Sequence, residues 1–145
     1  MKNLTNNLNF AKVLQDMNKT IHRREDEFLS KFNLSHFHAK YIANLYVHKQ
    51  LSMSELTEII RVDKANTTRA VKDLIDKGFV EKVGEGERKF NLQLSEKGLL
   101  VAKQFKAQID KFFKKVLEDF TGQERETLCV LLKKLFEGVK NARNF

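Results

Sequence analysis

The chain has 145 residues, with 27 Lys and Arg against 19 Asp and Glu, a formal net charge of +8, and 41% hydrophobic residues. This apolar content excludes a disordered chain, the single cysteine excludes an internal disulfide framework, and the lack of proline permits long unbroken helices. The positive balance suggests an acidic partner, either nucleic acid or an anionic membrane surface. No apolar run has the length of a signal peptide or a membrane span, so we expect a soluble, cytoplasmic protein with no membrane partner.

The N-terminal segment predicts two amphipathic helices. Apolar residues recur at steps of three, four and seven between Phe10 and Phe32, which indicates one apolar stripe along a helix. The pattern breaks at residues 33–35, where Ser35 is suited to cap a second helix that runs through His48.

The middle of the chain predicts a helix-turn-helix. Ser52 and Glu55 have the spacing of a capping box, in which each side chain accepts a hydrogen bond from the other residue's backbone N–H. Asp63 is suited to cap a further helix through Lys77, with Gly78 as its left-handed C-cap. Two helices joined by a turn of about three or four residues are typical of this motif.

A β-hairpin is predicted directly after the helix-turn-helix. Residues 79–83 form a loosely alternating strand, residues 84–87 supply a glycine-containing turn, and residues 90–94 alternate cleanly as the return strand. A helix-turn-helix followed by a hairpin is a winged helix.

The C-terminal third returns to helix. Ser95 is placed to cap a helix that extends to about Phe120, and Thr121 with Glu124 forms a second capping box at the start of a last helix. Cys129 lies beside the apolar stripe of that helix and is predicted to be a small core residue rather than a redox switch.

The long apolar stripes near both chain ends exceed what one small domain can bury, so we expect them to meet across a two-fold axis in a homodimer. The predicted fold class is mainly α with a small β-hairpin. Residues 1–34 and 99–145 form the helical dimerisation region, and residues 35–98 form the winged helix-turn-helix.

The second helix of the motif has a polar face suited to reading DNA. At about 100° per residue, its apolar side carries Thr67, Val71, Leu74 and Ile75. Asn66 and Arg69 lie nearly opposite, and these side chains suit bidentate contact with adenine and with guanine or phosphate. Asp73 also falls on the outward side, but later in the helix, where we expect it to point away from the groove. A solvated polar face is the alternative interpretation.

Other candidate DNA-binding residues flank this pair. Lys64 and Thr68 lie near the helix N-terminus, which favours phosphate, and alanine at position 65 allows close approach. Arg88 and Lys89 at the hairpin tip suit a narrow minor groove, although a solvent-exposed turn is the alternative. The full predicted set is Lys64, Ala65, Asn66, Thr68, Arg69, Lys72, Arg88 and Lys89.

The ordered segments 34–45, 51–56, 63–78 and 94–98, with the hairpin before the last, resemble the MarR family of bacterial winged-helix regulators over essentially the whole chain. The resemblance implies an obligate homodimer on pseudo-palindromic double-stranded DNA, with Asn66, Thr68 and Arg69 on the recognition helix and Arg88 on the wing. It also implies a small-molecule effector pocket between the dimerisation helices and the winged helix. Thr67 stands where the family commonly has an aliphatic residue.

The leading hypothesis is therefore a dimeric, ligand-responsive transcriptional repressor without a cofactor. A winged-helix protein–protein module is the first alternative, and a small enzyme is the second. No pattern pairs a nucleophile with a base, and no glycine-rich phosphate loop is present, so we do not expect an enzyme. His36 and His38 fall on different helix faces and are not a chelating pair, although a regulatory metal site between the first two helices stays open.

Overall fold

Helices dominate the fold. The computed structural model describes residues 8–84, 86 and 89–142, and the chain divides into two compact units between Ala107 and Gln108. Along the chain the elements are α1 (Leu8–Leu29) with a short 3-10 turn (Ser30–Phe32), α2 (His36–His48), α3 (Met53–Ile60), α4 (Lys64–Asp76), β1 (Val80–Val83), β2 (Asn91–Leu94), α5 (Glu96–Val116) and α6 (Gly122–Asn141).

The predicted cap of α2 is present, but its reciprocal partner is unusual. The backbone N–H of Ser35 donates to Nδ1 of His38 at 3.0 Å. A Glu or Gln side chain normally makes this bond. Asn33, in a left-handed conformation with φ of 58°, turns the chain from α1 into α2.

The helix-turn-helix forms where the sequence predicts it. The N–H of Ser52 donates to Glu55 Oε2 at 2.7 Å, and the N–H of Glu55 donates to the Ser52 hydroxyl at 3.1 Å, so the capping box is confirmed. Helix α3 ends at the left-handed residue Arg61, and α4 begins after the N-cap Asp63. Gly78, with φ of 82°, follows α4 as predicted.

The hairpin is antiparallel, with Val80 opposite Leu94, and each strand is one residue shorter than predicted. The chain just before α3 joins it, because Leu51 and Leu92 exchange two backbone hydrogen bonds of 3.1 and 2.8 Å. The predicted turn residues Glu85 and Glu87 lie outside the described residues.

Helix α5 ends at Val116 rather than near Phe120, so the predicted end was wrong. The apolar pattern continues through Leu117 without a Gly or Pro to mark the end. The backbone oxygen of Leu117 accepts a hydrogen bond of 2.7 Å from the Arg125 side chain, which satisfies a carbonyl that further helix would have used. The Thr121–Glu124 capping box of α6 is confirmed.

The core of the first unit lies among α2, α3, α4 and the hairpin. Its most deeply buried members, all below 2% exposure, include Tyr41, Ile42, Leu45, Leu56, Val71, Leu74, Phe79 and Leu92. Helix α5 reaches this core through Gly98, Val101 and Ala102, which are also buried. These contacts together fix the buried face of α4.

Each unit also exposes apolar side chains. In the first unit, α1 exposes Phe10, Val13, Leu14 and Met17, and in the second unit, α6 exposes Val130, Leu131, Leu132, Phe136 and Val139. Cys129 is exposed as well, so its prediction as a core residue was wrong for the single chain. No helix in the part of the chain that is described has the length and apolar character to cross a membrane.

Candidate nucleic-acid interface

Helix α4 is anchored along one side and open along the other. Thr67, Val71 and Leu74 are buried, which confirms the predicted packing side, while Ile75 is half-buried. The six candidate residues of this helix are all exposed, namely Lys64, Ala65, Asn66, Thr68, Arg69 and Lys72. Their contact with DNA stays a prediction.

The first turn of α4 carries a chain of polar contacts. The Asn66 N–H donates to Asp63 Oδ1 at 2.8 Å, and the Asn66 side-chain amide donates to the other oxygen of the same carboxylate. The Arg69 guanidinium then donates to Oδ1 of Asn66. The backbone hydrogen bond from Asn66 is the main reason why the pKa of Asp63 lies below its ordinary value. The amide and guanidinium predicted to read bases are thus held side by side in the same part of the helix.

Lys72 lies one turn further along and pairs with Asp76, whose Oδ2 is 2.8 Å from the lysine Nζ. The hydrogen bond to Asp76 raises the pKa of Lys72, which keeps the ammonium charged. An exposed charged lysine at this position suits a phosphate better than a base edge.

Asp73 corrects the sequence-based prediction. Its side chain is 42% exposed but is not free in solvent: it lies against α2, where Nε2 of His38 donates to its Oδ2 at 2.7 Å. Lys77 Nζ lies 3.0 Å from the same oxygen. The hydrogen bond from Lys77, and then the one from His38, hold the pKa of Asp73 below its ordinary value. Helical periodicity places a residue on a flank but does not say which neighbouring helix covers that flank.

A surface depression of about 410 Å³ lies between α2 and α4. It brings the predicted base-reading pair together with residues that the sequence reasoning did not select. Its lining residues are Phe37, His38, Lys40, Tyr41, Val62, Asn66, Arg69, Ala70 and Asp73. The unusual Ser35–His38 capping pair is the sequence signal that could have drawn attention to this flank.

The hairpin contributes one described candidate. Lys89 is exposed and lines a groove of about 450 Å³ with Ser52 and Ser54 at the start of α3. Gly84 and Gly86, with φ of 122° and 105°, supply the left-handed backbone that the reversal of the chain requires. Arg88, the predicted wing residue, lies outside the described residues.

The histidines of α1 and α2 make other contacts. The His36 N–H donates to Asp26 Oδ1 at 2.7 Å, the His36 ring lies 3.0 Å from the same carboxylate, and His22 stacks on that ring. Within the described residues, no group of three His, Cys, Asp or Glu side chains is placed to hold a metal ion.

Comparison with known proteins finds a family match in the middle of the chain. The sequence model of the MarR family matches residues 33–84, which run from two residues before the α2 cap to the start of the hairpin turn. A MarR/EmrR family transcriptional regulator from Acinetobacter sp. ADP1 has 27% identity and a TM-score of 0.75, over 90% of this chain and 94% of that one. Residues 33–84 of the chain therefore match the MarR family.

Two further proteins are similar to this chain. The HTH-type transcriptional regulator YybA of Bacillus subtilis is 28% identical over 102 residues, or 69% of this chain and 68% of that protein. MepR of S. aureus, solved as a complex with DNA, has a TM-score of 0.81 at 14% identity and covers 90% of this chain and 96% of its own. The likeness to MepR shows a shared fold, and it confirms the predicted winged helix-turn-helix.

Proposed function

We propose that this chain is a MarR-family regulator: a dimeric DNA-binding transcriptional regulator that acts as a ligand-responsive repressor on pseudo-palindromic operator DNA. The observation that carries the proposal is the two-sided exposure of α4. Its packed side is buried in the core, while the amide of Asn66 and the guanidinium of Arg69 lie side by side on its exposed side. The family match and the similarity to a protein solved on DNA support it.

In this proposal Asn66 and Arg69 contact base edges in the major groove, where amide and guanidinium groups discriminate adenine and guanine. Lys64 and Thr68, near the N-terminus of α4, contact phosphates, and Ala65 permits close approach. Lys72 contributes positive charge further along the helix. Arg88 and Lys89 place the hairpin at the adjacent minor groove.

The dimer follows from the exposed apolar residues. A second copy would cover the apolar side chains of α1 and α6 in the regions 1–34 and 99–145, since large exposed apolar surfaces are rare on monomers. A two-fold dimer would present two α4 helices to half-sites about one DNA turn (~34 Å) apart. A small ligand that favours another spacing of these helices would release the DNA by shifting the population of the two states.

Selection of duplexes from a randomised pool by the purified protein tests the proposal. We expect an enriched palindromic sequence and an affinity that falls steeply with salt, because phosphate contacts release counterions. Arg69→Ala should weaken binding to the enriched duplex about 5- to 100-fold, as expected for one lost bidentate base contact. Arg23→Ala, which removes an exposed arginine from α1, is the matched control and should leave binding unchanged.

Two outcomes would contradict the proposal. If no duplex is enriched, or if binding to DNA does not depend on salt, the winged helix serves another partner, as in the protein–protein module. If Arg69→Ala binds the enriched duplex as tightly as the wild type, the exposed face of α4 is not the reading face.

A further inference from the structure

A set of polar contacts ties α4 to the start of α2. Nδ1 of His38 accepts the Ser35 N–H at 3.0 Å, so the proton of the neutral ring resides on Nε2. That Nε2 donates to Asp73 Oδ2 at 2.7 Å, and the His38 side chain is only 12% exposed. The imidazole therefore bridges the cap of one helix and the flank of the other with both of its nitrogens in use.

Lys77 holds the same carboxylate from the other side. Its Nζ lies 3.0 Å from Asp73 Oδ2 and also donates to the backbone oxygen of Asn33 at 2.6 Å. Both Asn33 and Ser35 belong to the connection between α1 and α2. Asp73 is thus a charged acid on the recognition helix, fixed by two groups that are not among the predicted DNA-contacting residues.

Asp73 has a competing partner on its own helix. Arg69 precedes it by four residues, and oppositely charged side chains at this spacing are neighbours that attract each other. Both residues line the depression between α2 and α4, yet the Arg69 guanidinium turns the other way, to the side-chain oxygen of Asn66. A released Asp73 would engage the guanidinium that DNA requires and would also bring a negative charge towards the phosphates.

We propose that His38 is a positioning residue of the DNA-binding site, which holds the Asp73 carboxylate against α2 and so keeps Arg69 available for DNA. The inference rests on the proposed function and adds a residue that does not itself touch DNA. It makes a specific prediction: the defect caused by loss of His38 is transmitted by Asp73, so that removal of Asp73 corrects it.

The test measures affinity for the duplex that the wild-type protein enriches from a randomised pool. His38→Ala should bind this duplex about 3- to 10-fold more weakly. This loss of affinity lies between the small effect of one ion pair on a helix and the larger effect of losing an arginine contact to a base. Adding Asp73→Ala to His38→Ala should restore affinity to within about twofold of the wild type, because the competing acid is gone. Asp76→Ala is the matched control: it removes one negative charge from the same helix without touching His38, and it should not restore binding.

Lys77→Met provides a second route if His38→Ala does not fold. It should also weaken binding, and Asp73→Ala should again correct the defect. Three results would overturn the inference. His38→Ala could bind the duplex as tightly as the wild type, or the double variant with Asp73→Ala could stay as weak as the single variant. The third is a rescue by Asp76→Ala as large as the rescue by Asp73→Ala. If the wild type enriches no duplex, the proposed function itself fails, and this result is separate from the failures of the variants.

Discussion

Gly98, in the first turn of α5, permits a contact with the end of the helix-turn-helix that no other residue allows. A Cβ atom at this position would lie 2.0 Å from the backbone oxygen of Phe79 and 3.3 Å from Cβ of Leu94. The Phe79 oxygen has little room to retreat, because it accepts the Ser95 N–H at 3.0 Å. The Ser95 hydroxyl in turn donates to the oxygen of Gly78 at 2.6 Å and accepts the N–H of Gly98.

Gly98→Ala should therefore destabilise the protein strongly. Ordinary packing requires a separation of at least about 3 Å, so α5 and the end of α4 must move apart by about 1 Å within a closely packed region. Overpacking of this kind costs about 3 kcal/mol. The gain in helix propensity from Gly to Ala offsets only about 1 kcal/mol of that cost. The net expectation is a loss of roughly 2 kcal/mol or more in the free energy of unfolding.

Urea denaturation followed by circular dichroism measures this loss, at one fixed protein concentration because the proposed dimerisation would make the apparent stability depend on concentration. Gly138→Ala in α6 is the matched control, since a Cβ there would meet nothing within 4 Å in the described part of the chain. It should stabilise the protein by about 0.5–1 kcal/mol. If Gly98→Ala behaves like Gly138→Ala, the close approach of α5 to Phe79 does not exist in solution.

Three further predictions concern stability. Thr67→Val should raise the free energy of unfolding by about 1 kcal/mol, because the fully buried hydroxyl has no hydrogen-bond partner among the described residues. An unchanged urea midpoint would mean that the hydroxyl does form a hydrogen bond in the folded protein. Lys49→Gly should stabilise the protein by about 1 kcal/mol, because Lys49 has φ of 71° and ψ of −59°, a strained conformation for a residue with a side chain. Lys49→Ala is the control, since alanine keeps the strain and should not stabilise the protein. Burial acts to raise the pKa of Asp26, but hydrogen bonds from His36 outweigh it and hold the pKa below its ordinary value. The stabilisation that these hydrogen bonds give is thus present above about pH 4 and is lost as the pH falls further. Asp26→Ala should therefore lower the melting temperature at pH 7, and progressively less towards pH 3. An equal loss of melting temperature at both pH values would contradict the lowered pKa.

Local chemistry explains what the sequence predicts well. The caps at Ser52, Asp63 and Thr121 involve a side chain and a backbone group three residues apart, so the pattern of residue types is sufficient to find them. The left-handed Gly78 follows from the same kind of argument. Together these signals place the helix-turn-helix and hence the exposed face of α4.

Contacts between distant segments explain what the sequence does not predict. Asp73 has its partner 35 residues earlier, in a histidine that replaces the usual Glu or Gln of a capping box. The carbonyl just past the end of α5 accepts a hydrogen bond from an arginine in the next helix, eight residues further along, as well as one from the Phe120 N–H. Neither partner is visible in the periodicity of the helix concerned, because periodicity describes one helix at a time.

The backbone bridge between Leu51 and Leu92 bears on how such a protein can diversify. The base of the hairpin is fixed to the start of α3 by main-chain hydrogen bonds, which any residue except proline can make. Beyond the bridge, an exposed tip residue such as Lys89 can therefore be exchanged without altering the direction in which the hairpin leaves the domain, as long as the left-handed Gly84 and Gly86 are kept. Exchanges at this tip offer a route to new binding preferences that keeps the backbone bridge and the buried Leu51 and Leu92 in place.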